Sequence, residues 1–173
     1  LDLVFLHQCD SMADTSGERA IDSRQFYLKV VQRILHLCTT RTASGVLYDI
    51  DTRLRPSGNA GLLTVHIETY RDYLLQDAWT WELQALVRTR LIYGDEQIAQ
   101  RFAAIRAEVL AQPRDLQKLQ TEVVEMRQKL REHHGVDNAE VKHAAGGVVD
   151  LEFISQYLVL GYAATYPAKY QYS

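Results

Sequence analysis

Two carboxylates and two guanidiniums stand at alternate positions in one short stretch: Asp49, Asp51, Arg53 and Arg55. Pro56, Ser57, Gly58, Asn59 and Gly61 follow at once and force a loop. The residues leading in, Gly45-Val46-Leu47, are apolar and β-branched, so Val46 to Asp51 is expected to be a short strand. Side chains alternate along a strand, which puts Asp49 and Asp51 on the same face. Carboxylates placed that way repel unless water solvates them or a cation lies between them. Acids holding a divalent metal, with arginines for a polyphosphate, is chemistry that fits this pattern. The competing reading is a solvated strand end with weak surface pairs.

A further acid interrupts an apolar run. Leu1 to His7 is expected to be a buried strand, and an unpaired, ionised Asp2 inside it would cost several kcal/mol. Asp2 therefore stands at the strand end or meets something positive. Magnesium takes hard oxygen ligands, typically a few carboxylates completed by substrate phosphates. Two such ions roughly 3.5–4 Å apart can clamp the attacking and leaving oxygens of a phosphoryl displacement. Asp2 and Asp51 on neighbouring strands of one small sheet could converge in this way, although their spacing alone does not specify it. Arg53 and Arg55 share a face if the strand continues, and guanidinium suits bidentate phosphate contacts. Otherwise one of them pairs with Asp49 or Glu82. Gly58 and Gly61 allow a backbone to approach a nucleotide, or simply make a turn.

The elements that must position these residues follow from periodicity. Gln8 to Arg19 is polar and expected to be a loop. From Ser23 to Thr40, Phe26, Val30, Ile34 and Leu37 recur at helical spacing, widened by Val31, Leu35 and Cys38, so this helix is expected to be well buried. Leu62 to His66 is a third strand. Ile67 to Gln76 and Trp79 to Tyr93 are expected helices, the second stopped by Gly94, with its tryptophans in the core by default. Asp95 is the N-cap of a helix through Ala111 with Ile98, Phe102, Ile105 and Val109 as its stripe. Pro113 breaks it and starts the next helix. There Leu116, Leu119, Val123, Met126 and Leu130 repeat at three and four, a heptad seam that fits an intramolecular bundle better than a coiled-coil contact. Glu132 to Val141 is expected to be a loop with His133 and His134 solvated. A last helix spans Val149 to Ala164, before a tyrosine-rich end. Gly146-Gly147 offers free N–H groups to an anion, and Asp150 is a plausible cap, with Glu152 an exposed acid.

Composition sets the outer limits. The chain has 173 residues, 47% hydrophobic and 24% charged, which is enough for one core with a helical appendage. Net charge is −3 without a basic block, which argues against a nucleic-acid surface. Cys9 and Cys38 make neither a disulfide framework nor a zinc site and fit a reducing cytoplasm. No apolar run is long enough for a transmembrane helix, and the start lacks a signal pattern. Because the chain opens inside an expected strand, it is expected to be a fragment of a longer protein.

At this point the residues carry a resemblance. Val46 to Leu63, with Tyr48-Asp49-Ile50-Asp51-Thr52-Arg53-Leu54-Arg55-Pro56-Ser57-Gly58 at its centre, closely resembles glutamine synthetase adenylyltransferase. Leu1-Asp2-Leu3-Val4-Phe5 looks like the end of the nucleotidyltransferase signature Gly-Ser-Asp-x-Asp. The resemblance extends through Ala78-Trp79-Thr80-Trp81-Glu82, Leu86 to Arg90, and Lys142 to Leu160. It implies an α+β fold, mostly helical: an incomplete polymerase-β-like nucleotidyltransferase sheet over residues 1–66, then a helical bundle over residues 67–173. It implies Mg2+ and ATP, with Asp2 and Asp51 as the second and third metal-binding catalytic acids and the first acid before Leu1. Without that acid a fragment would bind metal–ATP poorly. Arg53, Arg55 and Gly58 would border the nucleotide. Pro56-Ser57-Gly58 and the tryptophan segment resemble the half that adds AMP to a tyrosine of glutamine synthetase and so regulates nitrogen assimilation. The alternatives are the half that removes AMP by phosphorolysis, and a non-catalytic module docking glutamine synthetase. Control of the whole enzyme by a PII signalling protein and by glutamine is implied in the same way.

Overall fold

A parallel strand pair forms where the first apolar run meets the one after the glycine-rich loop. In this computed structural model, which describes residues 1–9, 14–134 and 141–166, β1 (Phe5–His7) pairs with β2 (Thr64–His66). Phe5 faces Thr64, Leu6 faces Val65 and His7 faces His66. Parallel strands need a long connection, and helix α1 (Ser23–Thr39) supplies it. β2 runs directly into α2 (Ile67–Gln76), whose first turn is capped by His66 Nδ1 accepting from Glu68 N (3.2 Å). Val31, Val65, Ile67, Tyr70 and Leu74 make the core of this unit, residues 1–77.

Residues 78–173 make the second unit. Its elements are α3 (Thr80–Arg88), α4 (Glu96–Leu110), α5 (Leu116–His134) and α6 (Val148–Tyr162). α3 packs on α4, α5 and α6, and α5 packs on α6. Leu86, Phe102, Ile105, Val109, Leu119, Val123 and Leu160 fill the space between them. Leu119 and Val123 of the heptad seam are thus used inside the chain. The architecture is α+β and mostly helical, with a two-stranded parallel sheet. No helix among the described residues is long and apolar enough to cross a membrane.

Several local expectations need correction. Val46 to Asp51 is not a regular strand; it touches the sheet only through one parallel bridge, Asp2 to Asp51. Regular β1 is shorter than Leu1 to His7, and Leu1 is exposed. The apolar stripe of α1 is not well buried: Phe26, Val30, Ile34 and Leu37 are 44, 37, 38 and 59% exposed. A 17-residue helix is about 25 Å long. Two three-residue strands cannot cover it.

Helix α3 ends at Arg88, five residues short of Tyr93, because Arg106 of α4 takes its last carbonyls: Nε donates to Leu86 O (3.2 Å) and Nη2 to Val87 O (2.6 Å). Trp79 lies outside the core, 71% exposed, at the start of α3. α4 is capped as expected, Asp95 Oδ1 accepting from Ile98 N (2.9 Å). α5 starts later than Pro113 suggests, since Asp115 Oδ1 is the acceptor for Gln117 N (2.9 Å) and Lys118 N (3.1 Å). The expectations for residues 10–13, for the His133 and His134 side chains, for residues 135–140 and for the tyrosines beyond Tyr166 lie outside the described residues.

Candidate functional site

Asp51 is brought to Asp2 by backbone pairing. Leu3 N donates to Asp51 O and Asp51 N donates to Leu1 O, both at 2.8 Å. Residues opposed in this way lie about 4.8 Å apart with side chains on the same face of the pleat. Two carboxylates separated by 48 residues of sequence are therefore neighbours at one edge of the sheet. Asp2 is exposed and Asp51 half-buried. Asp49 is exposed too; its carbonyl accepts from the Leu1 amino group (2.6 Å).

Arg53 covers Asp51. Its backbone N donates to Asp51 Oδ1 (2.8 Å), its Nε to Oδ2 (2.7 Å), and its Nη2 forms a short contact with the same oxygen. These side-chain bonds, then the backbone bond, hold the Asp51 carboxyl below the usual carboxylate range. Reciprocally, the Arg53 guanidinium is pushed up by Asp51, with Asp2 adding a weaker pull. Arg53 remains 66% exposed, so its charge is also open to solvent and to an anion.

Arg55, only two residues on, has a different fate. Its side chain is buried. Nη1 donates to Thr52 O and to Thr52 Oγ1 (2.8 Å), while Nε and Nη2 reach Gly61 O at 3.4 Å. It ties the two ends of the loop together. Gly58 takes a left-handed φ of +50° and donates to Arg55 O (2.9 Å), and Ser57 before it has φ +62°. A Cβ on Gly61 would lie 2.0 Å from Pro56 O, so only glycine lets the loop close there.

Whether magnesium fits depends on the donor set. Asp2 and Asp51 are hard oxygen donors on one face, the one or two carboxylates that suffice when substrate phosphates complete the shell. Among the described residues no group of three His, Cys, Asp or Glu side chains is placed for a metal. The chemistry of the pair therefore fits an ion whose shell a substrate completes.

Beside the sheet lies a cluster that spacing did not reveal. His7 stacks on Tyr27 at 5.6 Å and meets His66 edge-on at 5.5 Å, and Cys9 Sγ is 3.0 Å from His7 Nδ1. Burial first, then His66 and Arg24, push the His7 imidazole down and keep it neutral. The signal was there in part: two histidines each end an apolar strand, but only the parallel register opposes them.

Within the second unit, the acid pair Asp150 and Glu152 divides. Glu152 makes an exposed ion pair with Arg88 (3.0 Å). Asp150 is not the N-cap, a position held by Gly147. Its carboxylate takes Arg127 Nε, Arg131 Nη2 (3.0 Å) and Gly146 N (2.7 Å). The expected anion site at Gly146-Gly147 is thus occupied by the chain's own carboxylate, and Gly147 N is used by Ala144 O (3.0 Å).

The sequence model of glutamate-ammonia ligase adenylyltransferase matches residues 1–105, more than half of the chain.

Proposed function

The chain belongs to the glutamate-ammonia ligase adenylyltransferase family, and on that premise we propose that residues 1–77 carry part of a site for moving AMP from ATP to a tyrosine hydroxyl of glutamate-ammonia ligase (glutamine synthetase). The carrying observation is the parallel bridge that sets Asp2 beside Asp51. Asp2 and Asp51 would hold Mg2+, which when bound supplies charge neutralisation at the phosphates. The tyrosine hydroxyl releases its proton to solvent, its oxygen forms a bond to the α-phosphorus, the bond from that phosphorus to the bridging oxygen breaks, and pyrophosphate leaves. Arg53 exchanges Asp51 for the outgoing phosphates, a transfer its exposure permits. Arg55 and Gly58 act through the loop, holding its backbone against the nucleotide. Most of the rate gain in such a site comes from positioning and fixed charge.

Intact-mass measurement of glutamine synthetase after incubation with the protein, ATP and Mg2+ tests the reading. The expected result is addition of one AMP per modified subunit, lost in Asp51→Asn. If the protein instead strips AMP from modified ligase in the presence of phosphate, the direction is reversed. If it does neither and binds no Mg–ATP, the assignment of Asp2 and Asp51 fails. Control by a PII protein and by glutamine rests on resemblance alone and is assigned to no residue.

A further inference from the structure

Arg55 reaches Asp51 through a single peptide group. Its side chain is buried, 5% exposed, and Nη1 donates to both the carbonyl and the hydroxyl of Thr52 (2.8 Å to Oγ1). The Thr52 carbonyl belongs to the same peptide unit as Arg53 N. That unit is planar and trans, so its C=O and N–H point in opposite directions. On the far side, Arg53 N donates to Asp51 Oδ1 (2.8 Å). One end of the peptide is therefore held by a buried guanidinium, and the other binds the Asp51 carboxylate. Fixing the plane at its oxygen fixes the direction of the N–H, and with it the orientation of Asp51.

The two kinds of bond that Arg53 makes to Asp51 differ in what can break them. Its side chain binds Oδ2 through Nε (2.7 Å) and Nη2, and that side chain is 66% exposed. An anion can compete for such a guanidinium. The bond to Oδ1 belongs to the main chain and cannot be drawn off in that way. A cationic donor on the carbonyl also polarises the peptide and strengthens its N–H as a donor. Oδ1 thus stays engaged, and Oδ2 is the oxygen left for a cation. Arg55 has a second hold, Nε and Nη2 on Gly61 O, but at 3.4 Å it is the longer one and lies at the other end of the loop. Every contact in this relay lies within residues 51–61.

We propose that Arg55 is a positioning residue for Asp51: through the Thr52–Arg53 peptide it orients the carboxylate so that Oδ2 is presented to Mg2+. The inference rests on the adenylyl-transfer reading and adds to it how one metal ligand is aimed. It gives Arg55 a role that needs no contact with phosphate.

Amide NMR tests the relay without turnover. In the wild type, couplings across the hydrogen bonds are expected from Arg55 Nη1 to the Thr52 carbonyl carbon and from Arg53 N to the Asp51 carboxyl carbon. In Arg55→Met, which keeps an extended side chain and loses the donors, the Arg53 amide proton should move upfield, in the direction that Asp51→Ala moves it. A role limited to closing the loop would move the amides of Ser57 to Gly61 and leave that of Arg53 in place, a result that overturns the proposal. Absence of either coupling in the wild type overturns it too, and that reading stands even where Arg55→Met disturbs the amides of β1 and β2. Calorimetry of ATP binding at graded Mg2+ reads the consequence. The Mg2+ requirement should rise at least about tenfold in Arg55→Met, as when the group supporting a metal ligand is removed. An unchanged requirement overturns the proposal. If the wild type binds no Mg–ATP, the metal reading of Asp2 and Asp51 fails, while the couplings and the Arg53 amide still decide whether Arg55 orients Asp51.

Discussion

Replacing Asp150 by Asn should expose how the second unit is held together. Asp150 joins α5 to the start of α6: it is the counter-ion of Arg127, whose side chain is only 9% exposed, and it also binds Arg131 and Gly146 N. The Asn variant keeps shape and removes charge. Arg127 would then be a buried cation without a counter-ion, left with neutral acceptors only, the new amide oxygen and His143 O (2.9 Å). Breaking a buried pair from one side costs roughly 3–5 kcal/mol. Asp150 is 20% exposed and its neighbourhood is wetter than a sealed core, so about 2–4 kcal/mol is expected here. Arg131 is 46% exposed and can return to water, so Arg131→Ala should cost no more than about 1 kcal/mol.

Both tryptophans, Trp79 and Trp81, lie in residues 78–173, so their fluorescence in a urea titration reports on this unit alone. With a slope of about 2 kcal/mol per M, the midpoint should fall by roughly 1–2 M. pH gives the second check. Burial raises the Asp150 pKa, but the bonds from Arg127 and Gly146 outweigh it, and the net shift is downward. A depressed carboxyl contributes its full stability above the unfolded value of about 3.9 and loses it as pH falls through the lower folded value. The gap between wild type and Asp150→Asn should therefore be constant near neutrality and close in acid. A cost below about 1 kcal/mol at pH 7, or a gap that does not narrow as pH falls below the unfolded value of about 3.9, would refute the argument.

Gly61→Ala places a methyl 2.0 Å from Pro56 O and should open the 52–61 loop, costing roughly 2 kcal/mol or more, whereas Gly17→Ala, with open space around it, should be neutral; thermal melting separates the two. Arg53→Met should return the Asp51 pKa upward toward the ordinary value of about 3.9, read by carboxyl 13C shifts across pH. Wild-type Asp51 should titrate at lower pH than the variant, whereas a solvated, unpaired carboxylate would titrate at the same pH in both. Arg114 donates to Val109 O, Leu110 O, Gln112 O and Leu160 O, and burial pushes its pKa down. Arg114→Met should cost roughly 1–3 kcal/mol by leaving those carbonyls open, and Arg114→Lys should not restore it, because an ammonium lacks the fork.

The helices were legible because their signals are local. Four residues carry the start of α4: Asp95 accepts from Ile98 N, and the stripe follows directly. α2 has the bounds its pattern gives, Ile67–Gln76. What failed depended on distant partners. A strand exists only with a neighbour to pair with, and apart from Asp51 the Val46 stretch has none among the described residues, however β-like its own residues. The end of α3 is written in Arg106, far along the next helix, and not in Gly94. Periodicity told that α1 has an apolar face but not what covers it. Asp150 read as a cap because Arg127, 23 residues earlier, carries no local mark of its role.

The two arginines after Asp51 show how the same limit reaches the candidate site. Spacing of two gives a shared face only while the chain stays extended. It does not: Arg55 N donates to Arg53 O (2.8 Å), a bond between residues two apart that turns the backbone directly after Arg53. Pro56 and the left-handed Ser57 and Gly58 complete the reversal. Arg53 is left outside, against Asp51, and Arg55 is carried inward to hold Thr52 and Gly61. One guanidinium is therefore available for exchange with an anion, and the other is spent on building the loop. The charge balance of the site follows from that division. With Arg53 seated, Asp2 and Asp51 are partly neutralised and tolerate one another without a metal. Were a polyphosphate to draw Arg53 away, the two carboxylates would lose that cover, and the neutralisation that Arg53 gives would have to come from a cation instead.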